Sequence, residues 1–134
     1  MKRTALLFVC LIFGVQVAFA DNIHQHPQSS KPEQNIKNKQ VYWPKPCEIT
    51  INNQSYDPIQ VYGIFDDGQP ISFNIYPSEP PHFISLFYYG ACHYDMFINI
   101  TTFGGYNIYS NYTRADSRID IWPGYYSGYR TVVK

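Results

Sequence analysis

From residue 47 to the C-terminal end, apolar and polar side chains take turns along the chain. In "CEITIN", Cys47, Ile49 and Ile51 share one side, while Glu48, Thr50 and Asn52 share the other. The same beat runs through "PIQVYGIF" (Ile59, Val61, Phe65), "ISFNIY" (Ile71, Phe73, Ile75) and "RIDIW" (Ile119 and Ile121 against Arg118 and Asp120). A period of two puts alternate side chains on opposite faces of a strand, so each run can bury one face and wet the other. "HFISLFYY", residues 82–89, is apolar at both parities and reads as a central strand covered on both faces. No window carries an i, i+3, i+4 stripe long enough for a helix. The expected fold class is all-β.

The breaks between runs have turn chemistry. Asp66-Asp67-Gly68 and Gly104-Gly105 supply the positive φ that tight hairpins need. Pro77 to Pro81 forces a loop, because proline offers no N–H to a ladder. Pro123-Gly124 suits the two central positions of a type II turn. About seven to eight short strands at this spacing predict a small antiparallel β-sandwich, immunoglobulin-like in general architecture, or a small barrel.

The first twenty residues, "MKRTALLFVCLIFGVQVAFA", have Lys2 and Arg3 ahead of an apolar stretch and end in the small–x–small pattern Ala18-Phe19-Ala20. Residues 1–20 therefore read as a cleaved secretory signal. Residues 21–46 contain four prolines and no sustained period, which predicts a flexible polar arm, with Val41-Tyr42-Trp43 available to dock. Residues 47–134 are left as a single β domain. Cleavage would leave eight basic against ten acidic residues, a balance that gives no footprint for nucleic acid. No stable membrane anchor remains after cleavage, and the expected location is secreted or periplasmic.

Cleavage also removes Cys10, leaving Cys47 and Cys92 for one disulfide. In "LFYYGACHYDMF", alternation carried back along the strand puts Cys92, Tyr94, Met96, Ile98 and Ile100 on the apolar face. Cys92 is thus expected to enter the core as a staple partner of Cys47, not to act as an exposed thiolate nucleophile. His93 and Asp95 share the opposite face at a spacing that could present two ligands to one ion, which makes them weak metal candidates. His82 and the arm pair His24 and His26 do not complete such a site. Catalytic motifs are absent. The chain is read as not an enzyme, with no cofactor.

Thirteen tyrosines, nine phenylalanines and two tryptophans are the outstanding compositional feature. Tyrosine among Ser, Gly and Asn in turns resembles the palette of binding loops, where rigid rings give contact area at low entropic cost. The candidate binding residues are Tyr106, Tyr109, Tyr112, Tyr125, Tyr126 and Tyr129. The leading expectation is a binding or interaction module whose partner is a protein or a carbohydrate. One alternative is a small metal-dependent or hydrolytic enzyme centred on His93 and Asp95. Another is an assembly protein that acts through its sheet edges. Asn53, Asn99 and Asn111 head glycosylation sequons, relevant only in a eukaryotic source.

Overall fold

A computed structural model describes residues 22–30, 47–125 and 128–134. The signal segment 1–20, the Val41-Tyr42-Trp43 stretch and Tyr126 lie outside the described residues. The elements are β1 (Ile23–His24), a short 3-10 turn (Pro27–Ser30), β2 (Glu48–Asn53), β3 (Ile59–Ile64), β4 (Pro70–Ile75), β5 (His82–Ser85), β6 (Phe87–Tyr88), β7 (Ala91–Cys92), β8 (Asp95–Thr102), β9 (Asn107–Arg114), β10 (Arg118–Pro123) and β11 (Tyr129–Val133). Eight of these strands have four residues or more, which agrees with the expected number. They form a five-stranded sheet in the order β1-β5-β2-β10-β11 and a four-stranded sheet in the order β4-β3-β8-β9; β6 and β7 make a small separate hairpin.

The alternation places the core where it was expected. Ile49, Ile51, Ile84, Ile119 and Ile121 come from the first sheet, and Ile59, Val61, Ile75, Met96, Ile98 and Ile100 from the second. All of them belong to one buried cluster between the two layers, so the fold is a sandwich. A slip of one residue in any ladder would turn its apolar row to solvent, and the two-residue period thereby fixes the register. Gly68 and Gly105 take positive φ at the β3–β4 and β8–β9 turns, as the Asp-Gly and Gly-Gly signals predict.

Five features depart from expectation. The first sheet is mixed, because β10 runs parallel to β2 (Arg118↔Thr50 to Ile121↔Asn53) and β1 runs parallel to β5. Parallel neighbours need a long crossover, and between β2 and β10 the excursion through the other sheet supplies it. The "HFISLFYY" run is not a central strand. It breaks at Leu86, whose N–H donates to Cys47 O at 2.9 Å, and β5 sits one place from the sheet edge. Tyr89 and Gly90 both take positive φ (50° and 75°), which gives the two-residue turn that joins β6 to β7.

The Cys47–Cys92 disulfide is formed, but not in the core: Cys92 is exposed and Cys47 half-buried. Parity fails there because His93 and Tyr94 leave the ladder between β7 and β8; the His93 N–H donates to Leu86 O, and Tyr94 faces solvent under Arg114. Pro123-Gly124 is not a type II turn. Pro123 stays in β10 opposite Tyr129, and Gly124 does not take positive φ. Glycine is required there by close approach, since a Cβ would come within 2.9 Å of the Gly128 carbonyl.

Finally, residues 22–30 of the segment read as a flexible arm are docked. Ile23 and His24 pair with Phe83 and Ile84, and the Phe83 N–H donates to Asn22 O at 2.8 Å. Composition hid this, because the ring contacts that dock the segment are made by two histidines, His24 on Phe73 and His26 on Tyr88.

Candidate functional site

The end of the sandwich where β3 begins and β8 finishes carries a shallow aromatic cleft of about 350 Å³. Its lining includes Asp57, Pro58, Phe103, Tyr106 and Tyr129. The Tyr106 and Tyr129 rings lie 5.8 Å apart, tilted by 36°, and Phe103 meets Tyr76 edge-on at 6.2 Å. The Tyr129 hydroxyl donates to Asp57 Oδ2 at 2.7 Å. Burial, and secondarily this carboxylate, push the Tyr129 hydroxyl up to about 12. The hydroxyl therefore stays a neutral donor throughout the ordinary pH range.

The wall beneath is rigid for a reason visible in the chain. Asn53 is buried at the end of β2, and its side-chain amide donates to Asp57 O (2.9 Å) and Ile75 O (3.1 Å). Asn53 Oδ1 accepts from the Ser55 N–H and hydroxyl. These bonds pin the 53–58 turn that presents Asp57, and they leave the first sequon asparagine buried and bonded on both sides of its amide.

The six candidate tyrosines do not form one surface. Tyr106 and Tyr129 share the cleft, and Tyr125, 96% exposed, stands in the loop that leads into Tyr129. Tyr109 is half-buried against the core, with its hydroxyl bonded to Thr113 Oγ1 at 2.8 Å. Tyr112 is exposed but sits at the opposite end, edge-on to Phe97. Asp57 and Phe103, which line the same cleft, and Tyr76, which packs on Phe103, were missed as companions of Tyr106. Their common signal is position, since each lies within two residues of a strand's first or last residue.

The other end holds a cluster that no spacing rule suggested. The Tyr88 ring is sandwiched between His26 (centroids 4.2 Å apart) and His93 (3.6 Å), both nearly parallel to it. The β3–β4 turn supplies two carboxylates. Asp66 accepts from the Tyr88 hydroxyl and pairs with His93 Nδ1 at 2.6 Å. Asp67 pairs with His26 Nε2 at 3.0 Å and accepts from the Tyr89 hydroxyl at 3.2 Å. The Tyr88 hydrogen bond chiefly, with His93, holds Asp66 below the usual carboxylate range. Burial works in the opposite direction on Asp67, but the Gln69 N–H, His26 and Tyr89 outweigh it and hold that carboxyl low as well. Burial first, and then Asp66, push the Tyr88 hydroxyl well above the ordinary tyrosine range.

His93 and Asp95 are not brought together as a ligand pair. The carboxylate on His93 is Asp66, its Nε2 faces Tyr88 O at 3.3 Å, and Asp95 sits opposite Arg114 on the β8–β9 ladder. With both ring nitrogens engaged, His93 has no nitrogen turned toward an incoming ligand in this geometry. Among the described residues, no group of three or more His, Cys, Asp or Glu side chains is arranged to hold a metal ion. Comparison with protein families, with curated proteins and with solved structures found no significant match to this chain.

Proposed function

We propose that this chain is an exported binding module that takes its ligand at the tyrosine-rich loop end of the sandwich. The observation that carries the reading is the cleft itself, in which exposed aromatic rings flank a carboxylate–tyrosine hydroxyl pair on a turn fixed by Asn53. Tyr106 and Phe103 are more than half exposed, and an apolar ring is left facing water in that way most usefully at a recognition surface. The chemistry fits a sugar ring: aromatic faces cover its C–H surface, while Asp57 and the Tyr129 hydroxyl bond its hydroxyls. Export agrees with a disulfide whose one sulfur lies at the surface, since such bonds persist in oxidising compartments.

A glycan array probed with the oxidised protein tests the reading, followed by titration of the best hit against Tyr106→Ala, Tyr125→Ala and Tyr112→Ala. Loss of about tenfold or more at Tyr106 and Tyr125, with Tyr112 unchanged, is the expected pattern. Equal effects at Tyr112 would move the surface to the other end. Binding of a protein but no glycan would replace the sugar with a protein partner.

A further inference from the structure

The segment Asn22–Ser30 closes the open side of the sandwich between β5 and β4, and it is held by its two histidines. β1 belongs to the first sheet, yet the His24 ring stacks at 3.5 Å on Phe73 of β4 in the second sheet, and its Nε2 lies 2.8 Å from His82 Nδ1. Two residues later, His26 enters a box made by Tyr88 (stacked), Phe65 and Tyr89 (both edge-on) and is 1% exposed. Asp67 binds its outer nitrogen, and the Gln28 N–H donates to the inner one at 3.2 Å. The groove thus reads backbone through Phe83 and Ile84, one aromatic ring at position 24 and one histidine, specifically, at position 26. Only histidine supplies a flat ring for Tyr88, a nitrogen donor for Asp67 and a second ring nitrogen that accepts from the Gln28 N–H.

The strap is separable from the body that holds it. Its sheet contribution is two paired residues, and the disulfide ties together body segments only. Residues 31–46 connect it to Cys47; sixteen residues reach at most about 55 Å. A body of this length is only about 30 Å across. Each groove contact can therefore be made equally by a strap from a neighbouring molecule.

We propose that this groove accepts the Asn22–Ser30 strap of a second copy of the chain, so that molecules associate by strap exchange. The occupant is named by what already fills the site. The same residues, in the same parallel register on β5, satisfy the groove whichever molecule supplies them, and the choice between the two is set by the concentration of a second copy against the effective concentration that the 31–46 connection gives the chain's own strap.

Two full-length variants test this by complementation. His26→Ala weakens the strap and leaves the groove whole; Asp67→Ala weakens the groove and leaves the strap whole. Sedimentation velocity at rising concentration should show each variant alone as a monomer and their mixture as a one-to-one heterodimer. A second measurement titrates a labelled peptide of residues 22–30 into the His26→Ala chain. One peptide per chain is expected, bound at least tenfold more weakly when alanine replaces its position-26 histidine. A peptide that fails to bind, or that binds without regard to that histidine, overturns the groove. Peptide binding with a mixture that stays monomeric overturns the second copy as its occupant, and leaves a histidine-bearing segment of another protein in its place. Neither result depends on the aromatic cleft at the far end.

Discussion

Removing the Cys47–Cys92 bond tests how much of this small domain's stability is denatured-state constraint. The cysteines are 45 residues apart. Chain-entropy arguments assign a loop of that length about 13 cal/mol/K, or about 4 kcal/mol at 25 °C. The structure says where that energy should act. Cys92 lies at the surface and Cys47, half-buried, only borders the core, so Cys47→Ala/Cys92→Ala removes little core packing, and most of the cost falls on the unfolded chain. At about 2.1 cal/mol/K per residue, the 47–134 domain unfolds with about 0.18 kcal/mol/K. The melting temperature should then fall by about 20 °C. Urea titration of both proteins, followed by far-UV circular dichroism, measures the loss directly. The m-value should rise, because the freed loop lets the denatured chain expand. A loss below about 1 kcal/mol, or an unchanged m-value, would refute the reasoning and put the bond's contribution in the folded state.

Three further outcomes are expected. Burial lowers the His82 pKa from 6.5, with Glu79, 3.4 Å from its Nε2, opposing in part. Below 6.5 the unfolded chain takes up a proton that the folded chain resists, so stability should decline as pH falls through 6.5, and His82→Asn should flatten that limb in urea melts; an unchanged slope would contradict it. A Cβ on Gly63 would sit 2.5 Å from Met96 Cε and 3.0 Å from Ile71 Cγ2, so Gly63→Ala should cost about 1–3 kcal/mol in thermal or urea melts, and a neutral result would mean that Met96 swings clear. Tyr88→Phe leaves Asp66 without its principal donor, which should cost about 1 kcal/mol at this part-exposed site above pH 3.8 and flatten the stability loss below it; carboxylate titration by NMR would show Asp66 returning toward its ordinary value, and an unmoved Asp66 would contradict the assignment.

Much of the sandwich was legible because its core is built on one rule. Ile49, Ile51, Ile59, Val61, Ile98 and Ile119 follow the two-residue period without exception, and Gly68 and Gly105 mark turns that only glycine makes cheaply. What escaped the sequence was geometry set by interruptions. The cysteine pairing was predictable by elimination, but Cys92 was placed in the core by running parity through His93 and Tyr94, where no ladder exists. Partner strands were equally hidden, because local patterning does not say that β2 lies beside β10. The paired histidine cluster depends on three distant segments meeting: the strap, the β3–β4 turn and the β6–β7 hairpin. "HQH" carries the strand period in miniature, but a two-residue strand gives periodicity too little length to register.

The parallel pairing of β2 with β10 also sets a timetable. Every neighbour contact in the four-stranded sheet is available once the chain has been made through Arg114, and its four strands form two hairpins, β3–β4 and β8–β9, joined by the β3–β8 pairing. The five-stranded sheet stops at β2 until Arg118–Pro123 arrives, some seventy residues later, to carry it on to β11. A polypeptide emerging from its amino-terminal end therefore holds one finished layer and an open seat beside Thr50–Asn53. During that interval both cysteines are already present, and the bond between them can close around a half-built molecule.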